Sequence, residues 1–174
     1  MDVGLSHLLP AFAGNLLRML LCFAVIGAIS FLLGEALPRE RFDHRSFPFK
    51  SYRWEQGGKF YLRIRIDRWK DKMPDMSKYV SKTVRKKMPL NRLNSDVTRR
   101  LVLETCVAEI VHWALILLSP MFLLLMPTVG WGIAGMILSL LGNLPFIMIQ
   151  RYNRPRLAHM LERQILHEQR RKAS

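Results

Sequence analysis

Two stretches of this chain go without a charged side chain for longer than the core of a water-soluble domain requires. One runs from Met19 to Leu33, after a mostly apolar stretch from Leu8 to Leu17. The other runs from Trp113 to Ile149 and is broken only by the turn-like Pro127-Thr-Val-Gly-Trp-Gly132. A helix needs about 20 apolar residues to cross the hydrocarbon layer of a bilayer. The sequence therefore predicts an all-α integral membrane protein with three transmembrane helices, near 8–33, 101–126 and 129–149, plus interfacial amphipathic segments. It reads as a single membrane domain over 1–174. With 50% of the residues hydrophobic and concentrated in these runs, a soluble core is a poor alternative.

Charge sets the expected orientation. The formal net charge is +14; residues 34–100 carry 19 Lys/Arg against 8 Asp/Glu, and 151–174 carry 7 against 2. Basic residues near the ends of spans stay in the cytoplasm. Three spans with the N-terminus outside place the basic segment 34–100 and the tail 150–174 inside, so a multi-pass protein of the cell membrane with a cytoplasmic C-terminus is expected. The first run lacks a basic start, is interrupted by Arg18, and ends at Gly34-Glu-Ala-Leu-Pro38, a poor cleavage site, so an uncleaved anchor is the expectation. Arg18 reads either as a snorkelling side chain or as a buried partner for a carboxylate of the second span. Cys22 and Cys106 show neither disulfide-like nor zinc-like spacing, and no metal is expected.

Within 34–100, Trp54, Phe60, Tyr61, Ile64, Ile66 and Trp69 are interleaved with Lys59, Arg63, Arg65, Arg68, Lys70 and Lys72, after a turn at Gly57-Gly58. Aromatics mixed with cations suit the headgroup layer. Arg68, Trp69 and Lys70 are also candidates to hold a phosphate- or carboxylate-bearing donor. Residues 76–95 form a second basic stretch that includes Lys78, Lys82, Arg85, Lys86 and Lys87. Such runs often bind nucleic acid, but beside three spans the anionic lipid of the inner leaflet is the expected partner, and no nucleic acid. Leu157, Leu161 and Ile165 recur at helical spacing, as in an amphipathic helix on a membrane surface.

Two polar clusters stand at the ends of the apolar runs, Glu104-Thr-Cys-Val-Ala-Glu-Ile-Val-His-Trp113 and Gln150-Arg-Tyr-Asn-Arg-Pro-Arg156. Ionisable groups are costly in hydrocarbon, so those retained there tend to face protein and act on a substrate. On a helical wheel with Glu104 at zero, His112 falls at about 80° and Glu109 at about 140°. The imidazole thus lies between two carboxylates, and Glu109 is expected to orient His112 as a general base while Glu104 supports them or positions Arg151 or Arg154. The remaining reading is a structural hydrogen-bond network. Asn143, two residues before Pro145, is placed at a depth similar to Glu109, and Pro145 frees a backbone carbonyl. Gln150, Arg151, Tyr152, Asn153, Arg154 and Arg156 read either as a basic stop sequence or as a substrate-binding set, with Pro155 ending the helix.

Three motifs carry a resemblance: Gly-Gly-Lys-Phe-Tyr with Arg-Trp-Lys-Asp-Lys in 57–72, the Glu104–Trp113 segment, and Asn-Leu-Pro-Phe-Ile-Met-Ile-Gln-Arg-Tyr-Asn-Arg-Pro-Arg-Leu in 143–157. In this order and spacing the chain resembles the small membrane glycosyl-4,4'-diaponeurosporenoate acyltransferases of staphyloxanthin-type carotenoid synthesis. The resemblance implies a membrane enzyme that esterifies a fatty acyl group onto a sugar hydroxyl of a glycosylated carotenoid or related glycolipid. It implies no bound cofactor, an acyl-CoA or acyl carrier protein thioester as co-substrate, and a lipophilic glycosylated acceptor among membrane lipids. It brings no catalytic residues with it. His-x-x-x-x-Asp and Gly-x-Ser-x-Gly, two common acyl-transfer signatures, are missing from the chain. The competing reading is a non-catalytic membrane scaffold or lipid-binding subunit whose polar clusters bind a partner's helices.

Overall fold

The computed structural model describes residues 3–73 and 94–173, so most of the second basic stretch, including Lys78, Lys82 and Arg85 to Lys87, lies outside the described residues. Among the described residues every regular element is helical. The long helices are α1 (Val3–Ala36), α3 (Ser95–Leu118) and α5 (Val129–Ala173), and the short ones are α2 (Ile66–Trp69) and α4 (Phe122–Leu125). Short 3₁₀ turns cover Arg39–Arg41, Lys70–Lys72 and Ser119–Met121, and a longer 3₁₀ run covers Arg53–Ile64. Three stretches, Leu9–Ala36, Ser95–Leu125 and Val129–Ala173, are long and apolar enough to cross a membrane. The chain forms two compact units, one of residues 1–37 and 110–147, the other of residues 38–109 and 148–174.

The first unit is built from apolar helix surfaces. Its core is Met19, Phe122 and Met126, with Cys22, Phe23, Ile26, Trp131 and Met136 packed around them. Phe23 and Phe122 meet at 4.7 Å between ring centroids. Two glycines set the approach of α4 to α5: a Cβ on Gly135 would lie 2.7 Å from the Phe122 ring, and one on Gly132 would lie 2.8 Å from Leu123 Cα. Along α1, Leu9, Phe12, Leu17, Leu20, Val25 and Leu32 are exposed. A helix apolar around its circumference suits a lipid environment.

In the second unit the aromatic segment is a chain of short 3₁₀ and α turns. Its core is Tyr61, Ile66 and Tyr152, flanked by Phe60, Trp69, Met148 and Ile149. Gln56, Gly57 and Gly58 all have positive φ (51°, 64° and 93°). Of the two glycines Gly58 is the tighter, because a Cβ there would lie 3.1 Å from the carbonyl oxygen of Tyr152. Helix α5 runs on through Pro145 and Pro155, where the sequence predicts a stop at Pro155. A proline inside a helix costs about 3 kcal/mol, through its missing N–H and its clash with the preceding turn. Arg151 and Arg154, on the turn before Pro155, are bonded to the rest of the unit on many sides, and those contacts hold the helical path.

Candidate functional site

In the second unit two carboxylates and two guanidiniums are buried together: Glu55 (1% exposed), Glu109 (1%), Arg151 (9%) and Arg154 (3%). Arg151 Nε and Nη2 donate to Glu55 Oε1 and Oε2 at 2.5 and 2.9 Å. Its Nη1 donates to Glu109 Oε1 at 2.7 Å and to the Pro48 carbonyl at 3.1 Å, and its Nη2 also reaches the Lys50 carbonyl at 3.2 Å. Arg154 donates to the other oxygen of Glu109, to the hydroxyl and carbonyl of Thr105 (2.9 and 3.0 Å), and to the Phe49 carbonyl (2.8 Å). The guanidiniums also lie over the rings of Tyr52 and Phe49. Two positive and two negative charges cancel, and every N–H of Arg151 has an acceptor. Such saturation is what makes buried ions tolerable.

Glu55 completes the cluster from the loop side. It accepts from the Tyr61 hydroxyl at 2.6 Å and from the Tyr52 backbone N–H at 2.7 Å. Burial pushes its carboxyl up, but the hydrogen bonds from Arg151, Tyr61 and Tyr52 outweigh that and hold it below the ordinary carboxylate range. The Tyr61 phenol is pushed well above its ordinary value by burial and by the carboxylate it serves. Neither Glu55 nor Tyr61 stands out in the sequence reading as a polar-site residue. The signal available was an acid two residues before the Gly57-Gly58 turn, in a segment dominated by cations and aromatics.

The first unit holds a smaller cluster. His112 Nδ1 lies 2.7 Å from Asn143 Oδ1, and its ring stacks on Phe146 with centroids 4.7 Å apart and planes 8° from parallel. Asn143 Nδ2 donates to the Ser139 carbonyl at 2.8 Å, and the Ser139 hydroxyl donates to the Leu115 carbonyl at 3.3 Å. Ser139, Asn143 and Phe146 are spaced four and three apart on α5, a stripe legible in the sequence once the helix is drawn.

The helical wheel puts Glu109 beside His112. In the structure Glu109 faces Arg151 and Arg154 instead, and Asn143 bonds the imidazole. Two fork-shaped cations offer a carboxylate more than a single imidazole N–H does. Glu104 pairs with Arg39 at 3.1 Å and, more loosely, with Arg100 at 3.9 Å, not with Arg151 or Arg154. Tyr152 is buried, its hydroxyl bonded by Arg156 and its ring under that guanidinium. Gln150 and Asn153 are half-buried and Arg68 is exposed. Trp69 Nε1 donates to the Ile64 carbonyl at 3.0 Å, and Lys70 pairs with Asp71 at 3.0 Å. Among the described residues no group of His, Cys, Asp and Glu side chains is arranged to hold a metal ion.

With every regular element among the described residues helical, and three of those helices apolar and of bilayer length, the protein is, as a class, an integral membrane protein. Residues 44–163 match the family described as glycosyl-4,4'-diaponeurosporenoate acyltransferase. Proteins with that name from Staphylococcus aureus strains bovine RF122 / ET3-1 and MRSA252 are each 31% identical over 130 residues, covering 74% of this chain and 77% of theirs. The one from strain N315 is 30% identical over the same length. The chain belongs to this family and so to the acyltransferases. No solved structure matches it.

Proposed function

We propose that this acyltransferase moves a fatty acyl group from an activated thioester, acyl-CoA or acyl carrier protein, onto a sugar hydroxyl of a glycosylated carotenoid or related glycolipid at the inner leaflet. Family membership supports the acyl-transfer chemistry and the class of acceptor. The observation that carries the residue-level reading is His112, a half-buried imidazole with a fixed hydrogen-bond partner between two largely apolar helices. The hydroxyl proton passes to His112 as the sugar oxygen attacks the thioester carbonyl. The carbon–sulfur bond then breaks, the proton returns to the departing thiolate, and the products are an ester and a thiol. Glu109, Arg151 and Arg154 serve this chemistry indirectly, by holding the second unit together. Arg68 and Lys70 are the proposed contacts for the anionic donor or for anionic lipid, in a membrane topology with the N-terminus outside.

The test is a reconstituted assay with purified protein in detergent, labelled acyl-CoA or acylated carrier protein, and a glycosylated carotenoid. The expected result is an acceptor whose mass rises by one acyl group, dependent on both protein and thioester. His112→Ala should lower the initial rate by about 10²–10⁴, the usual worth of a general base. Absence of acylated product with either thioester, or a well-folded His112→Ala protein at wild-type rate, would overturn this reading.

A further inference from the structure

We infer that Asn143 is the positioning residue that holds His112 in the tautomer with the proton on Nδ1, leaving Nε2 as the base. The inference deepens the acyl-transfer reading and rests on it for its chemistry, but its geometry stands on a short chain of donors and acceptors. A backbone carbonyl only accepts, so the atom of Asn143 facing the Ser139 carbonyl at 2.8 Å is its amide nitrogen. That fixes which end of the amide faces the imidazole: the oxygen, Oδ1, 2.7 Å from His112 Nδ1. Oδ1 also only accepts, so Nδ1 carries the hydrogen and donates it. A neutral imidazole has one N–H, so its second nitrogen, Nε2, keeps an open lone pair.

Two further features lock the arrangement. Phe146 stacks on the ring with planes 8° apart, which holds the plane of the imidazole. The Ser139 hydroxyl is directed to the Leu115 carbonyl across to α3, so the turn that orients Asn143 is itself tied down. An asparagine in this role orients the ring without adding a charge. That suits an apolar setting, where a buried carboxylate would need a partner of its own.

The experiment has two readouts, one of which is independent of turnover. In protein with ¹⁵N-labelled histidine, His112 should show a protonated Nδ1 and an unprotonated Nε2, assigned by comparison with His112→Gln. Asn143→Leu, similar in size but unable to accept, should lose that signature and lower kcat at least tenfold while KM for the thioester changes little. A wild-type spectrum with the proton on Nε2 would overturn the inference even if acyl transfer is confirmed. So would a folded Asn143→Leu protein with wild-type kcat. If instead the wild-type protein transfers no acyl group, the proposed reaction fails, and the spectrum still decides the tautomer.

Discussion

The two units treat polar groups in opposite ways. In the second, Glu55, Glu109, Arg151 and Arg154 are buried at a density of charge rare in a protein core, and each is closed off by partners. In the first, one imidazole sits among apolar helices with one nitrogen bonded through Asn143. The contrast separates two meanings of a conspicuous polar side chain. A guanidinium whose donors are all engaged has nothing left to offer a substrate, and it stiffens the fold. An imidazole held by one edge is oriented and still chemically available.

The comparison is broken most sharply at Glu109. Glu109→Ala leaves two buried guanidiniums without a shared carboxylate and should cost about 3–5 kcal/mol. His112→Ala, which leaves only a neutral amide oxygen without its partner, should cost about 1–3 kcal/mol while losing activity. Denaturant unfolding in detergent with parallel rates would measure both. A stable, inactive Glu109→Ala protein would put Glu109 back in the chemistry.

Next in size is Glu55→Gln, expected to cost about 1.5–3 kcal/mol at neutral pH, the worth of hydrogen bonds to a charged group. Because the folded carboxyl lies below the ordinary value of 4.5, its contribution is full above that pH. It drains away as pH falls through the lower folded value, so the gap between wild type and Glu55→Gln should narrow in acid. A gap that does not vary from pH 7 to acid would show that Glu55 acts by shape alone.

Gly58→Ala should cost about 1–3 kcal/mol, since φ is positive and the new Cβ would lie 3.1 Å from the Tyr152 carbonyl. Gly57→Ala meets open space and should cost less. Equal effects would mean that the loop does not need its close approach to α5. The smallest effect belongs to Arg45→Ala. Its pair with Glu162 is 69% and 53% exposed, so a loss of about 0.2–1 kcal/mol, fading with added salt, is expected from thermal unfolding.

Much of the fold was legible in the chain because apolar length is a local property. Charge-free runs announce bilayer-length helices whatever they pack against. Pairing is not local. Glu109 stands near His112 on a helical wheel, but its nearest cations come from 42 and 45 residues further along, and their forks offered it more hydrogen bonds than an imidazole could. Likewise Pro155 marks a helix end in sequence, yet α5 continues through it, because the anchored arginines beside it outweigh a local penalty. Glu55 shows the limit most plainly. Nothing in its local sequence singles it out, and only the folded chain, by bringing Arg151 from 96 residues away, makes it the buried keystone of the second unit. Helix length and apolar character follow from neighbours in sequence; which charges are neutralised, and which nitrogen is left open, depends on partners that only tertiary contact brings within 3 Å.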